Sequence, residues 1–367
     1  MTVQLTGQLT RQLTRHRMFW PVAVLVALLL SNLAFTPDFF SIRMRGGHLY
    51  GSLIDILHFG SPLIMVSLGM TLVIATGGID LSVGSVVSIA GALACLVISK
   101  QTDQGAIGGV IAAVLLGVGV AAVLGVWNGL LVAKVGIQPI VATLILMVAG
   151  RGVAQLVTEG QIITINSPGY KVIGGGTVLT LPCSILIVAA IVTLTVLVIR
   201  RSALGLLLES VGGNAEASRL VGIRSRGLIV ACYAFAALCA GIAGIMISSN
   251  VSSADGNNAG LWIELDAILA VVIGGTALTG GRFALLGTVI GALIIQTLAT
   301  TIYTIGVPPE TTLMVKGLVV MIVCLLQSPS FRAKVFRQHP THPTPLPAQA
   351  QAPAPSPTQA PVRPADE

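Results

Sequence analysis

About ten long apolar runs, joined by short polar connections, limit what this chain can fold into. They occupy 19–36, 56–76, 81–99, 108–130, 138–158, 183–199, 228–249, 265–279, 283–304 and 312–327. A bilayer crossing needs roughly 17–25 predominantly apolar residues. Charged residues are only 9% of the 367 and hydrophobic ones 54%, against roughly 25% charged in soluble domains. The chain is expected to be an all-α polytopic membrane protein of about ten transmembrane helices, with no sizeable soluble domain.

One of these regions resists a simple crossing. Residues 69–93 read GMTLVIATGGIDLSVGSVVSIAGAL, with Gly77, Gly78, Asp80 and Ser82 in the middle. Gly-Gly weakens a helix. An ionised carboxylate in hydrocarbon costs roughly 2.5–3.5 kcal/mol on insertion scales. Irregular backbone at membrane depth is tolerated only when buried in protein or facing a water-filled cavity. The stretch is read as two helices meeting at a polar break, with a plain loop between spans as the bland alternative. Residues 269–293 echo it weakly: apolar, then Gly274-Gly275, a polar break, and Gly-Ala-Leu again. Transporters place broken helices at matching positions of two halves with the path between them. Chance likeness of Gly/Ala/Val/Leu-rich spans competes with that reading.

The net charge of +7 does not point to nucleic acid, because the cations sit at the ends of apolar runs. With the N-terminus inside, 14 of the 20 Lys and Arg fall on the inner side, among them Arg11, Arg15, Arg17, Arg200, Arg201, Arg224, Arg226 and Arg282. Arg43, Arg45, Lys100 and Lys171 fall outside. That asymmetry predicts both termini in the cytoplasm and an even number of spans. Against it stands the Arg43/Arg45 pair, so 37–53 is allowed to be an amphipathic piece on the membrane surface. The expected organisation is a cytoplasmic segment 1–18, a transmembrane domain 19–328 with a cytoplasmic loop 200–227, and a disordered Pro/Ala-rich tail 329–367. The first run is read as a retained span, not a cleaved signal. The five cysteines lack disulfide or zinc spacing and are expected in the apolar segments.

The loop 200–227 holds a short capped helix. Asn214 suits an N-cap after Gly212-Gly213, Glu216 the first turn and Arg219 the last, and Gly222 a left-handed end. Ala217, Leu220 and Val221 share a face, and Glu209 lies just upstream. Docking of a cytoplasmic partner and a merely solvated connection are both open. No Walker A loop occurs, so any ATP hydrolysis belongs to another chain and no cofactor is expected here. A second polar cluster, NVSSADGNNAGLWIELD at 250–266, carries Asp255, Asn257, Asn258, Trp262, Glu264 and Asp266 without a cation. Planar polar groups beside an aromatic ring suit sugar hydroxyls and C–H faces, although Trp262 alone fits an interfacial anchor. Asp266 heads a span and is a pathway candidate. Asn128, Arg151 and Lys316 lie within or near the ends of spans, and each either lines a path or pairs structurally, Lys316 with Glu310 for example. No metal motif is present, and no histidine stands near a Ser or Cys nucleophile in a polar context. The chain reads as a conduit, not an enzyme.

The stretches GMTLVIATGGIDLSVGS (69–85), GGNAEASRLVGI (212–223) and GTALTGGRFALLGTVIGALII (275–295) resemble, in order and spacing, the permeases of ribose-type sugar importers of the ABC transporter class. Three more, GSLIDIL (51–57), IQPIVATLILMVAGRGVAQLVTEGQIITINSP (137–168) and NNAGLWIELDAILAVVIGG (257–275), look most like the galactofuranose-type permease. The resemblance implies a bacterial inner-membrane pathway for a monosaccharide, galactofuranose or a similar furanose or pentose. It is built by two permease chains, as a homodimer or with a paralogue. It also implies a periplasmic sugar-binding protein and a cytoplasmic ATPase subunit as partners. Gly77, Gly78, Asp80, Leu81 and Ser82 match the family's pathway signature; Asn214, Ala217 and Gly222 match its coupling loop. Two other classes stay in view: a permease for an autoinducer, nucleoside or branched-chain amino acid, and a proton-coupled secondary transporter using Asp80 and Asp266.

Overall fold

The computed structural model describes residues 18–35, 38–45, 47–306 and 309–327. A helix stands at each of the ten apolar stretches: α1 (Phe19–Phe35), α2 (Ser52–Ala75), α3 (Val83–Ser99), α4 (Ile107–Leu130), α5 (Pro139–Val157), α7 (Cys183–Arg201), α10 (Ser225–Val251), α11 (Ile263–Ile273), α12 (Leu285–Ile305) and α13 (Pro309–Gln327). Short helices α6 (Pro168–Gly175), α8 (Leu204–Gly213) and α9 (Ala215–Leu220) lie between them. Among the described residues, six helices are long and apolar enough to cross a membrane: α2, α4 with its π-helical extension to Val135, α5, α7, α10 and α12. Helices α1 and α3 are apolar but shorter, 17 residues each. At 1.5 Å per residue, the 11 residues of α11 reach about halfway through a hydrocarbon core of ~30 Å. The run expected over 265–279 stops at Ile273 because the chain turns at Gly274-Gly275.

Helix α10 is the centre of the bundle, with α2, α3 and α4 packed around it. Its neighbours approach through small residues. A methyl group built on Gly125 of α4 would stand 2.5 Å from the Ala237 Cβ, and one on Gly129 would stand 2.8 Å from the Val230 Cα. One on Gly69 of α2 would meet the Ala236 Cα at 2.6 Å. With Gly117 and Ala121, the α4 positions recur every fourth residue. In lipid, where burial of apolar surface supplies no net drive between helices, such stripes let backbones pack closely. Polar links reinforce the packing: Tyr170 of α6 shares a 2.6 Å hydrogen bond with Ser248 of α10, and Thr71 of α2 a 2.8 Å bond with Thr288 of α12.

Among the described residues, three small strand pairs depart from the all-α expectation. Arg43–Arg45 pairs with His48–Tyr50, so this part of 37–53 is a two-stranded ribbon. Thr177–Val178 pairs with Leu181–Pro182. Ile162–Thr164 pairs antiparallel with Ser253–Asp255, placing Ile162 opposite Asp255 and tying the α5–α6 connection to the α10–α11 connection. Cys95, Cys232 and Cys239 are buried, Cys183 is half-buried, and all four are free thiols. Most of the proposed N-terminal segment and the Pro/Ala-rich tail lie outside the described residues, as does the side chain of Glu310.

Candidate functional site: two helix breaks meeting at the 202–224 connection

The first break closes α2 with paired glycine turns. Thr76 is the C-cap and Gly77 follows with φ +81°. The Gly78 N–H donates to the Val73 carbonyl at 3.1 Å and the Gly77 N–H to the Ile74 carbonyl at 2.9 Å. This is the Schellman arrangement, which needs a left-handed residue and therefore favours glycine. Gly78 faces the Tyr233 hydroxyl so closely that an added methyl would lie 2.5 Å from it.

Asp80 then organises the start of α3. Its carboxylate Oδ1 accepts from the Ser82 N–H at 2.9 Å and from the Ser82 hydroxyl at 2.6 Å. The Ser82 hydroxyl in turn accepts from Asn128 Nδ2 at 2.9 Å. The Leu81 N–H donates to the Thr143 hydroxyl at 3.1 Å, and Ser85 Oγ donates to the Ser82 carbonyl at 2.8 Å. Asp80, Ser82 and Asn128 are at most 1% exposed. Asp80, Ser82 and Asn128 therefore tie the head of α3 to α4, and the Leu81–Thr143 bond adds α5. Asn128 Oδ1 and the Tyr233 hydroxyl have no hydrogen-bond partner among the described residues. Thr143 and Tyr233 belong to this cluster but escaped the sequence reading, because a lone Thr or Tyr in an apolar run carries no spacing signal.

The second break repeats the first. Gly275 has φ +90°. The Thr276 N–H donates to the Val271 carbonyl at 3.2 Å and the Gly275 N–H to the Val272 carbonyl at 2.9 Å. The left-handed residues are thus Gly77 and Gly275. Gly274 is instead a packing glycine, whose added methyl would stand 2.5 Å from the Thr288 amide nitrogen of α12. Thr276 also accepts from the Ala284 N–H at 3.1 Å, which fixes the entry to α12.

The two breaks touch. The Gly281 N–H donates to the Ala75 carbonyl at 2.9 Å. A methyl on Gly280 would meet the Gly77 backbone and the Gly212 carbonyl at 2.9 Å. Gly212, near the end of α8, rests on Ala75 and on Gly281, whose nitrogen would lie 2.5 Å from an added methyl. The connection therefore abuts both helix ends through backbone contacts. Just beyond, Asn214 caps α9, its Oδ1 accepting from the Ala217 N–H at 2.9 Å. Glu216 pairs with Arg219 at 2.7 Å on the exposed surface, and Gly222 has φ +92°. Leu220 and Val221 are 80% and 78% exposed, which leaves an apolar face bare. Glu209 lies on α8 and is half-buried.

The 253–266 segment folds back against α3 and α5. Asp255 accepts from the Asn257 N–H at 2.8 Å and from Asn258 Nδ2 at 2.8 Å. Partial burial alone would raise its carboxyl, but the bonds from Asn258 and Asn257 outweigh this and hold it below the ordinary carboxylate value. Asn257, Asn258 and Trp262 are exposed, and Trp262 sits at φ +66°, a left-handed conformation unusual for a bulky residue. Arg151 donates to the Ala259 carbonyl at 2.6 Å. Glu264 is buried, with Oε2 unpartnered among the described residues and pressed against Gly84 in the first turn of α3. Asp266 forms an ion pair with Lys316 of α13. Composition could not foresee that partnership across 50 residues. His58 shares a 2.7 Å bond with the Ser184 hydroxyl between α2 and α7.

Two interrupted helices that meet against a backbone-packed connection in a polytopic helical protein fit the broken-helix layout of membrane transporters. Residues 52–324 match the family model described as branched-chain amino acid transport system / permease component. The chain belongs to this family, and it is a transport subunit, not an enzyme. It is 48% identical to the galactofuranose transporter permease protein YtfT of Escherichia coli (strain K12), over 86% of this chain and 93% of that one. It is 38% identical to the fructose import permease protein FruF of Bifidobacterium longum (strain NCC 2705), over 84% and 87% of the two chains. Ribose import permease protein RbsC of Escherichia coli (strain K12) is 35% identical over 84% and 92%. The resemblance to ribose-type importer permeases is thereby met. No solved structure matches the chain significantly.

Proposed function

We propose that this chain forms the membrane pathway of an ATP-driven importer for a monosaccharide, with galactofuranose or a similar furanose or pentose as the solute. The solute class rests on the sugar-importing names of the relatives, first among them the 48% identical galactofuranose permease. The coupling mechanism rests on one observation: the Ala75, Gly212 and Gly281 backbones are in direct contact, so displacement of the 202–224 connection is passed to both breaks at once. Two permease chains, identical or paralogous, enclose the path, each crossing the inner membrane about ten times with both termini in the cytoplasm. An ATPase subunit, which carries the nucleotide, docks on Glu209, Asn214, Ala217, Leu220 and Gly222. A periplasmic sugar-binding protein delivers solute to the face bearing Asn257, Asn258 and Trp262. Gly77, Gly78, Gly274 and Gly275 are the hinge positions, Asp80, Ser82 and Asn128 the latch that re-forms the first break, and Asp266 a charge beside the route. The test is uptake of labelled galactofuranose, ribose and fructose by proteoliposomes holding this chain with its ATPase and binding protein. Uptake is expected only with ATP and both partners. Uptake by the permease alone, or driven by an ion gradient, would overturn the proposal.

A further inference from the structure

A crevice opens between α7, α8 and α10 on the flank of the bundle. It encloses about 280 Å³ and is walled by Leu194, Val198, Leu204, Leu208, Leu228 and Phe235, among others. Its one hydroxyl, on Thr195, is already bonded to the Ile191 carbonyl at 2.8 Å, so the wall offers no unsatisfied polar group. Leu194 and Val198 are exposed along the opening. Such a slot suits a hydrocarbon chain and would reject a sugar.

The charges at its end identify the rest of the occupant. Arg200 and Arg201 directly follow the lining residue Ile199, and Arg224 and Arg226 shortly precede the lining residue Leu228. All four side chains are exposed, and none has an ion-pair partner among the described residues. Arg200 lines a second, neighbouring cavity of about 460 Å³ together with Glu209, so the cations on the crevice side are Arg201, three residues beyond the lining Val198, and Arg224, four before the lining Leu228, each one helical turn along the same face. An apolar slot between membrane helices ending in unpaired arginines has the chemistry of an anionic headgroup site. We infer that the crevice binds an anionic phospholipid, with one acyl chain against Leu194, Val198 and Phe235 and the phosphate on the arginine rim.

The site has a mechanical consequence. Leu204 and Leu208 form the near wall and belong to α8, whose other end carries Gly212 against Ala75 and Gly281. A chain seated in the crevice braces α8 from behind, and its departure frees the helix to shift. Binding itself depends only on the membrane setting, so its test stands apart from the identity of the solute and the partner subunits.

The experiment uses the full-length protein, delipidated in detergent and incubated with vesicles of phosphatidylglycerol or phosphatidylcholine; retained lipid is counted by native mass spectrometry. Phosphatidylglycerol is expected to be retained preferentially. Each surface arginine contributes roughly fivefold to attraction of an anionic lipid, so Arg201→Gln with Arg224→Gln is expected to cut its retention about 25-fold while leaving phosphatidylcholine unchanged. Ala231→Trp, on the crevice wall, keeps the charges and fills the slot, and is expected to abolish retention of both lipids. Gel filtration checks that each variant is folded. Equal retention of the two lipids, or indifference to the arginine changes, overturns the inference. A dimer-to-monomer shift in Ala231→Trp without lipid loss also overturns it, and assigns the crevice to a helix of a second copy.

Discussion

A single methyl group at Gly212 tests the coupling contact with a built-in control one residue away. In Gly212→Ala the new carbon would stand 2.5 Å from the Gly281 nitrogen and against the Ala75 carbonyl. Non-bonded heavy atoms are comfortable near ~3.5–4.0 Å, so α8 and the 276–284 loop must separate by about 1 Å. That separation strains the 2.9 Å bond from the Gly281 N–H to the Ala75 carbonyl, worth about 0.5–1.5 kcal/mol. Overpacking adds about 1–3 kcal/mol. The sum, about 1.5–4.5 kcal/mol, shifts the docked arrangement roughly 10- to 1,600-fold at 1.4 kcal/mol per decade. Gly213→Ala is the control: its methyl meets nothing within 4 Å and its φ is not positive. There alanine favours the helix by about 0.5–1 kcal/mol. The assay is ATP-driven uptake per molecule of ATP hydrolysed in proteoliposomes, with thermal unfolding in parallel. Gly212→Ala is expected to uncouple hydrolysis from uptake while Gly213→Ala behaves as wild type. Equal behaviour of the two variants would refute the steric argument.

Three further perturbations have defined outcomes. Asp80→Ala leaves the buried Ser82 N–H and hydroxyl without their acceptor, at about 1–3 kcal/mol each; uptake should be lost while size-exclusion profiles stay normal, and Asp80→Asn, which keeps an Oδ1 acceptor, should retain more activity. Normal uptake by Asp80→Ala would reduce the residue to a structural cap. Asp266→Ala leaves the partly buried Lys316 ammonium without its partner, at about 1–3 kcal/mol, and the double variant Asp266→Ala/Lys316→Ala should recover much of the melting temperature; equal destabilisation by single and double variants would count against the pairing. Because Asp255 has a lowered carboxyl pKa in the folded state, its stabilisation is fully present at neutral pH, above the unfolded value of 3.8, and is lost as pH falls through the folded value. Hydrogen exchange at Asn257 and Asn258 should accelerate on that acid limb in the wild type, and Asp255→Asn should show no such titration.

The class of protein was legible in the chain because hydrocarbon allows few solutions: long uncharged runs become helices, and a carboxylate among them marks a break. Asn214, Glu216, Arg219 and Gly222 were likewise readable, since capping is local chemistry within one turn. The Gly-Gly echo at 274–275 was visible too, but its register was not. Only backbone geometry distinguishes Gly275, which carries the left-handed turn, from Gly274, which packs on α12. Tertiary structure alone decided that Asp266 pairs with Lys316, that Glu264 presses on Gly84, that His58 meets Ser184, and that Gly212, Ala75 and Gly281 touch. These are contacts between residues far apart in the chain, and they depend on how tightly small side chains let helices approach. Periodicity and composition record which face of a helix avoids water; they carry no measure of distance between one helix and the next.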